Sequence, residues 1–203
     1  MLPTVALVGR PNVGKSTLFN KLTHSRDALV ADVPGLTRDR RYGRMESEDS
    51  QVTLIDTGGL FGEHVLADEL TGQTQLAVDE ADLVLLLLDG RDGVTASDED
   101  VVTYLRKSNV AFLPVINKID GLNEDQIIAD FVRFGFPEYA LISASHNRGL
   151  KQLRETVAEK LSALDLPLSA EPEDEPDGIR VAVVGRPNVG KSTLVNRLIG
   201  EER

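Results

Sequence analysis

The sequence predicts a doubly wound α/β fold, with a mostly parallel sheet and one antiparallel edge strand. Three observations carry that prediction. Short aliphatic runs alternate along the chain with longer stretches of helical periodicity. One of the runs, residues 83–88, is so uniformly aliphatic that it must be covered on both faces, as parallel strands are. A glycine-rich turn follows the first run directly and opens a helix.

In order, residues 4–8 form a short buried strand and residues 15–22 start the first helix. Residues 42–46 and 51–55 flank the polar turn 47–50 and read as a hairpin, which supplies the antiparallel edge. Residues 83–88, 111–116 and 139–142 complete the strands, with helices at 97–107, 124–134 and 149–161. In such sheets ligands sit beyond the carboxyl ends of the strands, so chemistry is sought in the residues that follow each strand.

The chain has 203 residues, room for one full core and something more. Val8-Gly9-Arg10-Pro11-Asn12-Val13-Gly14-Lys15-Ser16-Thr17-Leu18 recurs as Val184-Gly185-Arg186-Pro187-Asn188-Val189-Gly190-Lys191-Ser192-Thr193-Leu194, so two domains of one type begin here. Between them, residues 165–178 hold three prolines among six acidic residues and read as an extended, self-repelling linker. The expected organisation is a complete domain at 1–165, a linker at 166–178 and the start of a second domain at 179–203. The second loop, with Gly185, Asn188, Gly190, Lys191 and Ser192, is followed by too little chain to finish a nucleotide site, and none is expected to bind there.

With no cysteine, the chain offers no disulfide, thiolate nucleophile or thiolate zinc site. Its start has no signal-peptide pattern and no apolar run reaches the ~20 residues of a membrane span, so a cytoplasmic location with no membrane partner is expected. A net charge of −11 argues against a broad electrostatic grip on nucleic acid, and DNA is not expected as a partner. His24, His64 and His146 show no ligand spacing and read as loop or surface residues.

After the first strand, Gly9-x-x-x-x-Gly14-Lys15-Ser16 is a phosphate-binding loop. Its backbone N–H groups curl inward toward phosphate oxygens, Lys15 reaches the β- and γ-phosphates, the Ser16 hydroxyl ligates magnesium, and the helix N-terminus adds its dipole. Arg10, Pro11, Asn12, Val13 and Thr17 complete the cradle. This loop alone does not separate ATP from GTP. Asn117-Lys118-Ile119-Asp120, following a buried strand, does: the Asp120 carboxylate can accept both N1–H and the 2-amino hydrogen of guanine, a pair that adenine lacks. Asn117 buttresses that site and Lys118 lies along the base. Asp56-Thr57-Gly58-Gly59, again after a strand, offers a carboxylate for a magnesium-bound water and the Gly59 N–H as a sensor of the γ-phosphate.

Together with Ser143-Ala144-Ser145, these motifs resemble the signature of translation-factor-related G domains with the Ras-like P-loop GTPase fold. The tandem loops and acidic linker are similar to the Der/EngA family of double-G-domain ribosome-assembly GTPases. The resemblance implies that Thr37 closes over magnesium and the γ-phosphate, that the Ser143-Ala144-Ser145 backbone contacts the guanine carbonyl, and that Asn12 helps to hold potassium. It implies GTP as substrate, GDP as product, magnesium as cofactor, and the large ribosomal subunit or its RNA as partner of the full-length protein. Lys15, Thr37, Gly59 and Asn12 are thereby the catalytic candidates.

Leu60 stands where Ras-like proteins place a water-orienting glutamine, so unaided hydrolysis is expected to be slow. The run Arg38, Arg40, Arg41 and Arg44 reads as solvated loop charge, with contact to ribosomal RNA as the alternative. Three functions are therefore weighed: a GTP-hydrolysing switch, a guanine-nucleotide-binding module with little turnover, and an ATP-using P-loop kinase, the last requiring residues 117–120 to be a coincidence.

Overall fold

The computed structural model describes residues 2–23, 41–47, 50–57, 75–166 and 168. The chain divides into two units, Met1–Ala170 and Glu171–Arg203, and the described residues belong to the first. Thr37, Gly58, Gly59, Leu60, His24, His64 and the second phosphate loop lie outside them.

The elements run β1 (Thr4–Val8), α1 (Lys15–Leu22), β2 (Arg41–Ser47), β3 (Ser50–Asp56), β4 (Leu83–Asp89), α2 (Ala96–Ser108), β5 (Ala111–Asn117), α3 (Glu124–Phe131), β6 (Ala140–Leu141) and α4 (Leu150–Ser162). The sheet order is β2-β3-β1-β4-β5-β6. Every pair is parallel except β2 with β3, where Arg41 faces Asp56 and Ser47 faces Ser50.

The two-residue period of a strand divides the core into two layers. Val5 and Leu7 of β1 and Leu83, Leu85 and Leu87 of β4 pack with α1 and α4 through Leu18, Phe19, Leu22, Leu153 and Val157. Ala6 and Val8, with Val84, Leu86 and Leu88, pack on the other side with Val102 and Leu105 of α2 and Ile127 and Phe131 of α3. β4 is aliphatic at every position up to Asp89 because both its faces are covered and all seven residues are buried. Leu166 and Leu168 pack against the first layer, and Gln51 N donates to Leu168 O at 2.6 Å.

Helix ends follow local chemistry. Thr95 and Asp98 form a reciprocal capping box at the start of α2. Where one helix is predicted over 124–134, α3 ends at Phe131 and a 3-10 turn covers Val132–Phe134. That tighter turn, closed by Gly135 in the left-handed region, delivers Phe134 to Phe136 at 5.1 Å between ring centroids. The last strand is also shorter than 139–142: only Ala140 and Leu141 pair with β5.

β1 and β4 are neighbours, yet α1 and α2, which follow them, cover opposite faces of the sheet. A crevice therefore opens at their carboxyl ends, where a doubly wound sheet takes its ligand.

β2 needs a glycine where it crosses α1. A Cβ at Gly43 would stand 2.4 Å from Thr23 Cγ2 and 2.7 Å from the Phe19 ring, both fixed in the core. Gly43→Ala is expected to lower unfolding free energy by about 1–3 kcal/mol, measured by urea denaturation, with α1 displaced from the hairpin.

Candidate nucleotide site

Five strand ends meet at the crevice, and their connections are side-chain hydrogen bonds across long stretches of sequence. Gly14 caps α1 in the left-handed conformation, φ 99°, and a Cβ there would stand 2.4 Å from Asn117 Nδ2. That approach is used: Asn117 Nδ2 donates to Val13 O at 2.8 Å, and Asn117 Oδ1 accepts from Ala144 N at 3.0 Å. One carboxamide, 3% exposed, thus ties the phosphate loop to the Ser143-Ala144-Ser145 turn. Thr57 Oγ1 donates to Leu7 O at 2.7 Å and fastens the end of β3 to β1.

Lys15, 5% exposed, folds back on its own loop, its Nζ donating to Gly9 O at 2.7 Å and to Arg10 O at 2.8 Å. Burial pushes its pKa down to about 8, against the pull of Asp56 and with help from the Arg10 charge. A triphosphate placed here would give the buried ammonium anionic hydrogen-bond partners in place of carbonyls. The first turn of α1 carries no acidic residue, so nothing opposes an anion at its N-terminus. Ser16 is half-buried at that turn, and Pro11, Asn12 and Thr17 are exposed, Asn12 with φ 64°.

Asp56 is completely buried, and its charge is felt by Lys15. A hydroxyl from Ser16 and a carboxylate from Asp56 are hard oxygen donors of the kind magnesium takes beside substrate phosphates. Among the described residues there is no cluster of three or more His, Cys, Asp or Glu that could hold a metal ion.

At the other end, Ile119 is buried in the core and holds its loop down, while Lys118 has φ 64°. Asp120 Oδ1 accepts from Ser143 Oγ at 2.9 Å, and Oδ2 pairs with Arg91. The Ser143 hydrogen bond, aided by the charges of Arg91 and His146, holds the Asp120 carboxyl below the usual carboxylate range. It therefore presents acceptors at neutral pH. Ser143 exchanges backbone hydrogen bonds with Arg148 at 3.0 and 3.1 Å, which closes the turn that carries Ala144 and Ser145.

The sequence reading misses the loop after β4. Asp89 Oδ1 accepts from Arg91 N at 2.9 Å and Asp92 N at 3.3 Å, and Lys118 Nζ pairs with Asp89 Oδ2 at 2.5 Å. Burial alone would raise the Asp89 pKa, but the Lys118 hydrogen bond and those two amides hold it low. Asp92 pairs with Arg10 at 2.8 Å, and Arg10 Nε lies 3.5 Å from buried Asp98. The loop therefore touches both the phosphate and the base elements. Its signal was its place directly after a strand. His146 is exposed, as expected, but its Nδ1 lies 3.0 Å from both Ser143 Oγ and Ser145 Oγ.

A family described as 50S ribosome-binding GTPases matches residues 4–118 and 180–203. The chain belongs to this GTPase family. Over its whole length it is 55% identical to GTPase Der of Marinobacter nauticus (strain ATCC 700491 / DSM 11845 / VT8), of which it covers 42%. It spans less than half the length of such curated relatives. Among solved GTPase structures, Aquifex aeolicus Era bound to GDP.AlF4- has a TM-score of 0.66 at 27% identity, covering 90% of this chain and 62% of that one. Era in complex with MgGDPNP and nucleotides 1506-1542 of 16S ribosomal RNA has a TM-score of 0.67 at 28% identity, covering 88% and 61%. The fold is the Ras-like one, with its single antiparallel pair at β2 and β3. No helix among the described residues is long and apolar enough to cross a membrane.

The buried ammonium makes a pH prediction. Lys15 has a folded pKa of about 8 against 10.5 when unfolded, so between those values the unfolded chain binds more protons. Stability from this group is reduced below pH 8 and recovered as pH rises toward 10.5. In the nucleotide-free protein, the wild type is expected to gain of order 2 kcal/mol on Lys15→Met between pH 7 and pH 10. Urea denaturation at the two pH values measures it.

Proposed function

We propose that this chain binds GTP with magnesium at the crevice, hydrolyses it slowly, and acts as a switch within a longer tandem protein. The observation that carries the reading is the Asn117 clamp. It ties the phosphate loop to the turn whose Ser143 hydrogen-bonds Asp120, the carboxylate we read as the guanine selector, in a chain that belongs to a GTPase family.

In this reading the N–H groups of residues 9–17 cradle the α- and β-phosphates, and Lys15 exchanges its carbonyl partners for β- and γ-phosphate oxygens. Its ammonium, destabilised by burial while the site is empty, regains a counter-charge when nucleotide docks. Asp120 takes the two guanine donors, the Lys118 stem covers the base, and Ala144 N or Ser145 N meets the guanine carbonyl. Ser16, Thr37 and Asp56 would hold magnesium, which when bound would supply positive charge to offset that developing on the phosphates. Thr37 and Gly59 would sense the γ-phosphate, ordering segments 27–41 and 59–69 before hydrolysis and releasing them after it.

Leu60 has no group to orient water, so turnover needs help from outside the chain. Asn12, exposed and in the left-handed conformation at the mouth of the loop, is our candidate ligand for potassium beside the phosphates. The description of the family as 50S ribosome-binding GTPases supports action of the full-length protein on the large ribosomal subunit in the cytoplasm, and the 16S ribosomal RNA of the Era complex supports ribosomal RNA as a class of partner. The match at 180–203 supports reading the second unit as the start of a further G domain, with residues 166–178 as linker.

Asp120→Asn is expected to weaken GDP binding by about a hundredfold or more while xanthosine diphosphate gains, read by calorimetry. An unchanged preference for guanine over xanthine removes the base-reading role. Phosphate release is expected to be faster in potassium than in equal sodium, and equal rates remove the role of Asn12. Negligible release in both, with intact GDP binding, would leave a nucleotide-binding module in place of an enzyme.

A further inference from the structure

Arg91 belongs to none of the motifs used above, yet its guanidinium faces the carboxylate that reads the base. Its Nη2 donates to Asp120 Oδ2 and, at 3.3 Å, to the Asp120 carbonyl, while Ser143 Oγ occupies Oδ1. Guanine N1–H and its 2-amino group would bring donors of the same kind to the same two oxygens. We propose that Arg91 is an internal stand-in for guanine, an affinity-setting residue that holds Asp120 Oδ2 until the base docks and then swings aside. The proposal rests on the reading of Asp120 given above.

The anchoring fits a side chain that moves on a base that does not. The Arg91 backbone is pinned through its N–H to Asp89, which is buried and also held by Lys118, and the neighbouring Asp92 N–H donates to the same Asp89 Oδ1 at 3.3 Å. Beyond that pinned backbone the Arg91 side chain is 54% exposed and the Asp120 side chain 26%. A partly exposed ion pair is weak, and an exposed side chain reorients in picoseconds to nanoseconds. Arg91 therefore acts as a fast pre-equilibrium: the association rate is multiplied by the fraction of time Asp120 is uncovered, and dissociation of bound nucleotide is unaffected.

The test is stopped-flow binding of a fluorescent GDP analogue to the 203-residue chain, comparing wild type with Arg91→Ala and Arg91→Lys. Arg91→Ala is expected to associate about two- to fivefold faster at low salt with unchanged dissociation, the advantage shrinking at about 0.5 M salt as screening loosens the wild-type pair. Arg91→Lys keeps the charge that steers phosphates but lacks the planar fork, and is expected to be faster than wild type too. If neither variant associates faster, or if dissociation accelerates because Arg91 grips the bound base, the proposal is overturned. Asp120→Asn separates the two levels. If its base preference shifts while the Arg91 variants bind no faster, only the Arg91 proposal falls; if its base preference does not shift, the reading of Asp120 falls first.

Discussion

The site depends on one carboxamide and the missing side chain beside it. Asn117 reaches from the end of β5 to Val13 O and Ala144 N, and it can do so only because Gly14 puts no Cβ in its path. A buried amide must satisfy both its donor and its acceptor, so the two loops it bridges are held at a fixed separation. That separation spans from phosphate to purine. A bulkier residue at position 14, or an apolar one at 117, would leave buried backbone groups without partners and release the loops from each other. The carboxamide is thus a spacer, and the chemistry on either side inherits its precision from it.

Around that spacer the charges are arranged in opposite senses. At the phosphate end a cation is buried with carbonyls as its nearest partners, a costly arrangement that an arriving anion relieves. At the base end an anion is supplied with donors from Ser143 and Arg91, so it is ready at neutral pH and lightly guarded. In the proposed function the first end would gain from any triphosphate, and the second would discriminate among purines. Division of labour of this kind follows from where each group sits: Lys15 is within the loop's own curl, whereas Asp120 is at the mouth.

Much of this was legible in the amino-acid sequence because it is local. The uniform aliphatic run of β4 announced burial on both faces, the polar turn between β2 and β3 announced a hairpin, and each recognised motif directly follows a strand. What escaped is non-local. The 104 residues between Val13 and Asn117, and the 82 between Arg10 and Asp92, carry no trace of their pairing in either local pattern. The loop from Asp89 to Asp92 was passed over for that reason, since Asp-Gly-Arg-Asp-Gly reads locally as a polar turn. The early end of α3 escaped because helical periodicity continues through Phe134, while the packing of Phe134 on Phe136 selects a tighter turn.

The overlooked loop alters how the site is understood. Asp89 grips Lys118, Asp92 grips Arg10, and Arg91 grips Asp120, so three contacts from one turn reach the phosphate loop and both charged residues proposed to meet the base. In the first pair the Asp89 side chain is buried, whereas Asp92 and Arg91 are each more than half exposed in the other two. Ion pairs differ in worth according to that exposure: the pair of Asp89 and Lys118 resists water and holds position, and the other two exchange more readily with it. A turn built this way keeps the two halves of the site in register while leaving the purine end open to replacement of its temporary occupant. The end of β4 thus belongs to the nucleotide site as fully as the ends of β1 and β5 do, although it carries none of the motifs by which such sites are read.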